Sequence, residues 1–177
     1  MKKKFWTSDK LFGLVAMFIS VITLIIFVKQ TNIMEKQSRL SAMPYLMIET
    51  SEIGSKNIYS FQLVNHGVGP AIIDSTILFY KGKTYNLEFK DFLRANIKSM
   101  DSIPILNNAS INRGLAIPAD GVRNILQIGG NKEDYDAFFQ VLEELYSNDF
   151  DFEIRYRSIY DDKWRITSKK EIPEKLN

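Results

Sequence analysis

The hydrophobic pattern changes period along the chain, and each change marks a different kind of structure. Leu11 to Val28 (LFGLVAMFISVITLIIFV) is an eighteen-residue run without a charge, held between Lys10 and Lys29. At 1.5 Å per residue it makes about 27 Å of helix, close to the ~30 Å hydrocarbon core of a bilayer. Thirteen of the eighteen are Leu, Ile, Val or Phe, each favouring insertion by about 0.3–0.6 kcal/mol, a sum that outweighs Gly13, Ser20 and Thr23. Phe5 and Trp6, with the lysines ahead of the run, suit the headgroup level. A cleaved signal peptide has a shorter apolar core and a small-residue cleavage site, whereas KQTNIMEKQSR follows Val28. A buried core helix would carry a polar stripe. The pattern therefore predicts an uncleaved single-pass anchor in the cell membrane, with residues 1–28 as tail and transmembrane helix. Lys2, Lys3, Lys4 and Lys10 precede the run and Lys29, Lys36 and Arg39 follow it. With the amino terminus added, this bias puts the N-terminus in the cytoplasm and the C-terminal domain outside it. The margin is one lysine, and a cytoplasmic domain is the alternative.

Ile26, Ile33 and Leu40 then recur at seven-residue intervals in a polar stretch. This predicts a helical stalk over residues 29–43. Pro44 stops it and biases Met43 toward extended geometry. From there the period falls to two. Tyr45–Thr50 and Asn57–Asn65 (NIYSFQLVN) read as strands, and Ala71–Tyr80, apolar on both faces, as a strand inside a sheet. Lys81-Gly82-Lys83 turns into a short strand at Thr84 and Tyr85. Phe89, Phe92, Leu93 and Ile97 predict a short helix over 87–97. Residues 98–112 have no period, and Pro104 and Asn107-Asn108 mark irregular backbone. Arg113–Ile117 and Val122–Ile128 flank the turn Pro118–Gly121, where proline fixes φ and glycine supplies a positive one.

A second helix follows Asn131, its cap, with Asp134 three residues on. Tyr135, Phe138, Phe139, Leu142, Leu145 and Tyr146 share its apolar face, which is expected to lie on a sheet. Asp149–Ile159 alternates strictly: Phe150, Phe152, Ile154 and Tyr156 point one way, Asp151, Glu153, Arg155 and Arg157 the other. Asp161-Asp162 turns the chain and Lys163–Ser168 returns. A two-residue loop there would set Arg157 opposite Ile166 and mix charged with apolar side chains on one face. An odd loop keeps the faces apart: Tyr160–Asp162 sets Tyr156 opposite Ile166 and Ser158 opposite Trp164, and Asp161–Lys163 has the same parity. Residues 171–177 read as a frayed tail. About seven short strands and few helices predict a mainly β fold. It is an immunoglobulin-like β-sandwich with two inserted helices, over residues 44–170.

Length and charge narrow the classes. One domain accounts for 177 residues, and a net charge of +2 argues against a nucleic-acid partner. The absence of cysteine excludes disulfides, thiolate metal sites and a cysteine nucleophile; one histidine, His66, excludes any centre that needs two imidazoles. Neither cofactor nor metal is expected. At NHGVGPAII (Asn65–Ile73) and RYRSIYDDKWRI (Arg155–Ile166) the chain resembles uncharacterised bacterial single-pass membrane proteins. These carry an N-terminal anchor and a sandwich domain with an N-x-G-x-G-P-A segment. The resemblance implies a fold and a membrane anchorage, and no activity. Their final turn more usually carries glycine where this chain has Asp161-Asp162.

Each chemical candidate has an ordinary reading beside it. Ser60, His66 and Asp74 make a triad on paper, yet no nucleophile elbow supports it, and a turn histidine with one hydrogen bond explains His66. Gly67-Val68-Gly69-Pro70 lacks the Lys-Ser/Thr pair and the following helix of a phosphate loop. Its glycines instead let the chain bend between sheets, with the Asn65 side chain bonding backbone at the bend. The acidic groups at 133–136 and 143–144, and Asp149, Asp151 and Glu153, read as solvated faces without calcium-loop spacing. Asn108-Ala109-Ser110 fits a glycosylation acceptor, a pattern common by chance. The strongest surface feature is the final hairpin: Arg155, Arg157, Lys163, Arg165, Lys169 and Lys170 with Tyr156, Tyr160 and Trp164. As a contact it would meet anionic lipid or a partner protein; as a plain edge strand its charge would guard against aggregation. The function expected is a membrane-anchored, non-enzymatic interaction module that binds a protein partner or assembles with itself. The alternative is a ligand-sensing accessory domain with a pocket at residues 98–112 or the Gly67 bend. An unfamiliar enzyme stands third.

Overall fold

The structure is a computed structural model that describes residues 8–176. The readings on Lys2, Lys3, Lys4, Phe5 and Trp6 lie outside the described residues. The chain divides between Ser41 and Ala42 into two units.

The first unit contains one helix, α1 (Ser8–Ser41), with no buried residue. It is long and apolar enough to cross a membrane. Inside the apolar run the hydroxyls of Ser20 and Thr23 donate to the carbonyls of Ala16 and Ile19, four residues back, at 2.9 Å. Such bonds satisfy polar side chains where no water can. The helix continues through the polar residues that follow, as the seven-residue spacing predicts.

The second unit is β-rich: β1 (Leu46–Ile53), β2 (Ile58–Asn65), β3 (Ala71–Tyr80), β4 (Lys83–Tyr85), α2 (Phe89–Asn96), β5 (Ile105–Asn107), β6 (Ala116–Ile117), β7 (Val122–Gly129), α3 (Lys132–Ser147), β8 (Asp151–Arg157), β9 (Lys163–Thr167) and β10 (Lys170–Leu176). A four-stranded sheet has the order β1-β2-β7-β5; a six-stranded sheet has β10-β9-β8-β3-β4, with β6 also on β3. Every pairing is antiparallel. Residues 66–70 carry the chain from one sheet to the other. The core draws on both, with Leu46, Leu63, Ile73, Leu78, Leu126, Ile128 and Tyr156 nearly inaccessible.

α3 is capped as its sequence predicts, the Asn131 Oδ1 accepting the Asp134 amide at 2.8 Å. It lies on the four-stranded sheet, as its apolar face predicts, and reaches the second sheet as well. Tyr59 of β2 packs on Phe138 with ring centroids 5.3 Å apart, and Tyr80 of β3 donates to Glu144 at 3.3 Å. The helix thus touches both sheets, burying Phe138, Val141 and Leu145, while Tyr146 is 78% exposed.

Some expectations need correction. The reading of residues 171–177 as a frayed tail fails, because β10 pairs with β9 through Glu174↔Arg165, Lys175↔Trp164 and Leu176↔Lys163. Its register shift between Lys170 and Glu174 spans Pro173, which an outermost strand tolerates. β9 is therefore an inner strand, and the domain extends past residue 170. The aperiodic stretch 98–112 contains β5 and buries Met100 and Ile103. In the final hairpin the odd parity holds, with a register two residues from the one expected. Ile154 faces Ile166 and Tyr156 faces Trp164. The Asp161 amide donates to the Ser158 carbonyl (3.1 Å) and Ser158 to Asp162 (2.9 Å), with Asp161 at φ 64°. The loop is thus Ile159–Asp161, closed by a left-handed residue.

Candidate functional site

The bend after β2 is built around one amide. Asn65 is fully buried; its Oδ1 accepts from the Tyr45 and Gly67 amides, each at 3.0 Å. Its Nδ2 lies 2.8–3.1 Å from the carbonyls of Gly69, Ile117 and Pro118. Gly67 and Gly69 allow the segment 42–45 to pass: a Cβ on Gly67 would lie 2.4 Å from the Met43 carbonyl oxygen, and one on Gly69 2.1 Å from that of Ala42. Pro70 then leads directly into β3. The paper triad is dispersed: His66 Nε2 meets Glu49 at 2.6 Å, Ser60 accepts from Gln127, and Asp74 meets Arg157.

The final hairpin is less basic than its sequence suggests. Arg155 and Arg165 face each other across the strands, a repulsive arrangement by itself. Between them stands Glu153, only 9% exposed, which corrects its reading as a solvated residue. It meets Arg155 at 2.6 Å and Arg165 at 3.4 Å, and Glu174 of β10 meets Arg165 at 3.1 Å. Hydrogen bonds from Lys170 and Arg165 hold the Glu174 carboxyl below its ordinary pKa. Arg157 pairs with Asp74 (3.0 Å) and Asp161 (3.6 Å). Trp164 points inward, 7% exposed, stacked on Tyr156 with centroids 5.7 Å apart. That burial raises the Tyr156 phenol above its ordinary pKa. Tyr160, at the loop, is 41% exposed.

A cleft lies beside these residues, to which the stretch 98–112, expected as a pocket lining, contributes only Ile111 and Asn112. β3 is covered on one edge by β8. On the other it pairs with β6 through Ala71 and Ile72 and with β4 through Leu78, Phe79 and Tyr80. Among the described residues, the stretch Ser75–Ile77 between them has no strand partner on that edge. It borders a cleft of about 500 Å³, walled by Asn86–Phe89 ahead of and into α2 and by Ile111–Arg113. A bulge at Asp74 lets both Ile73 and Thr76 face the core, opposite Tyr156 and Ile154. It also turns the Asp74 carboxylate to Arg157. A second hollow of about 330 Å³ shares Asp74 and Arg113 with the first and reaches Arg157, Asp161 and Lys163. Arg113 is exposed and has no ion pair or side-chain hydrogen bond among the described residues. The start of α2, with Glu88 as N-cap, has no side-chain cap. Both offer donors at the cleft, which the carboxylates of Asp74 and Glu88 also line. The sequence signal is the polar triplet Asp74-Ser75-Thr76 inside an otherwise apolar run.

No protein-family model, curated protein or solved structure matches this chain.

Proposed function

We propose that the protein is a membrane-anchored binding module whose immunoglobulin-like domain recognises an extended segment of a partner protein. The anchor is α1, and the lysine bias favours a single-pass arrangement with the domain outside the cytoplasm. The immunoglobulin-like assignment is supported by strand order. β1-β2-β7-β5 against β9-β8-β3-β4 follows the A-B-E-D and G-F-C-C′ arrangement of that fold. In that scheme α2 is inserted between C′ and D, α3 between E and F, and β10 is added beyond G. The resemblance carried by Asn65–Ile73 agrees with both assignments.

The observation that supports the partner reading is the uncovered edge of β3. A strand edge with free amides and carbonyls accepts an added strand, and neighbouring pockets then select its side chains. Arg113 and the uncapped start of α2 favour a segment with a carboxylate. The polar lining from separate loops also suits a small polar ligand, which keeps the sensing reading as the second one.

A photo-crosslinking amino acid at exposed Asn86 of the full chain, activated in native membranes, tests this. The expected product is an adduct with another protein that Arg113→Glu abolishes. An adduct of two copies of this chain would favour self-assembly. Absence of any protein adduct would remove the partner reading in favour of the small ligand.

A further inference from the structure

The uncovered stretch of β3 is a slot rather than an open edge. β6 pairs with Ala71 and Ile72 at one end of it, and β4 with Leu78, Phe79 and Tyr80 at the other. The backbone of Ile73 is taken too: its amide donates to the Leu115 carbonyl (2.9 Å) and its carbonyl accepts from the Gly114 amide (2.8 Å). What stays uncovered among the described residues is Ser75–Ile77, about 10 Å of strand. Tyr80 and Lys83 close a two-residue turn, with Lys81 and Gly82 both at positive φ. By strand alternation Tyr80, Leu78 and Thr76 then direct their amides and carbonyls to this edge, and below Thr76 the bulge at Asp74 resets the count. The slot thus offers one residue's pair of backbone groups. Its charges are uneven. Arg113 stands at the β6 end, exposed and in no ion pair among the described residues. Asp74, at that end as well, is committed to Arg157 at 3.0 Å. Glu88, on the wall that continues from β4, sits at the start of α2, whose positive end offsets a carboxylate.

We infer that the slot takes the C-terminal end of a partner chain, with its free α-carboxylate on Arg113. The inference rests on the partner reading above and names the part of the partner that enters. A strand that continued past the slot would run into β6 or β4, since both already occupy the same edge of β3. A chain that stops inside it has to clear only one of them. Arg113 sets the direction: the chain runs from the β4 end toward the β6 end, antiparallel to β3 as β4 and β6 are. An N-terminus there would put an ammonium group where Arg113 and the start of α2 supply positive charge. A carboxylate on a guanidinium instead gains a charge-assisted pair. With only Thr76 offering backbone groups, that terminal charge carries much of the recognition.

The photo-crosslinker at Asn86 of the full chain in native membranes serves again, with the adduct digested and the attachment site on the partner mapped by mass spectrometry. The expected site lies within about five residues of the partner's C-terminus, the reach of a chain that passes Asn86 and ends at Arg113. A synthetic peptide of that end, made once with a free carboxylate and once as the carboxamide, is then titrated against the full chain in detergent. The acid should bind about tenfold tighter than the amide. Arg113→Gln should erase the difference, and Arg113→Lys should keep part of it. Arg113 is exposed, so neither substitution threatens the fold. An attachment site in an internal stretch of the partner would overturn the inference and leave the partner reading standing. Equal binding of acid and amide, or a difference that Arg113→Gln leaves unchanged, would do the same. No protein adduct at all would overturn the partner reading, and this inference with it.

Discussion

Asn65 shows how much one side chain can decide. Its amide joins the start of β1, the bend and the turn before β7, with five backbone partners and no exposure to water. Asn65→Ala would leave several of those groups buried and unpaired, each at about 1–3 kcal/mol. The expected loss of domain stability in denaturant titration is about 3 kcal/mol, large for a single substitution. Gly69→Ala should also destabilise, because the backbone of Ala42 occupies the space its methyl would take. Asp151 makes a different contribution. Burial alone would raise its carboxyl, yet donors from Ser168 and the Phe152 amide, with Lys169 nearby, hold it below the ordinary value. Glu174 is lowered as well. A carboxyl depressed in the folded state stabilises it above the unfolded pKa, and that stability is lost as pH falls through the folded one. Unfolding midpoints should therefore drop as pH falls below about 4, the ordinary carboxyl range. Asp151→Asn should flatten that acid limb, and a limb of unchanged slope would show that Asp151 takes no part.

At the scale of elements, α3 and the final hairpin are instructive in opposite ways. The helical spacing of apolar residues identified α3 and its cap, but of the six residues assigned to its face only Phe138 and Leu145 are buried, together with Val141, which that face omitted. A helix that meets two sheets buries a narrow stripe, here Phe138, Val141 and Leu145, while Tyr146 stays in solvent. Phe138→Ala is expected to cost about 3–5 kcal/mol and Tyr146→Ala less than about 0.5 kcal/mol in the same unfolding experiment. Equal losses would mean that the helix packs by its other face. In the hairpin, alternation fixed the parity of the loop, since one wrong step exchanges the two faces of the sheet. It did not fix the register, because a shift by two residues preserves the faces. The choice fell to the left-handed Asp161 and to the stacking of Tyr156 on Trp164.

For the whole molecule, α1 makes extraction the informative measurement. Alkaline carbonate should leave the chain in the membrane fraction, and its mature form should retain the N-terminal residues. A soluble form starting near Thr31 would mean that the helix is removed. Protease added to intact spheroplasts should digest residues beyond Ser41 if the lysine bias sets the topology; full protection would reverse it. The arginines of the final hairpin are paired rather than free for a membrane or an acidic partner. Arg155, Arg157 and Arg165 are each matched by carboxylates from β3, β8, the hairpin loop or β10. Changing all three to Glu should therefore disrupt the six-stranded sheet, seen as a lower unfolding midpoint, before it alters any surface binding.

The amino-acid sequence by itself determined the elements whose cause is local. An unbroken apolar run makes a membrane-length helix, period-two alternation makes β2 and β8, a short run apolar on both faces makes β3, and Asn131 caps α3. It also located the bend at Asn65–Pro70, where glycines permit what a Cβ would block. Tertiary structure alone decided what depends on partners distant in sequence. Residues 170–176 carry no period that separates them from a tail, and they become a strand only because β9 offers an edge. Glu153 looks solvated until two arginines from adjacent strands close over it. The cleft at Ser75–Ile77 exists because β4 and β6 stop short of each other on β3. Local chemistry writes the elements; the gaps between elements follow from where their long-range partners end.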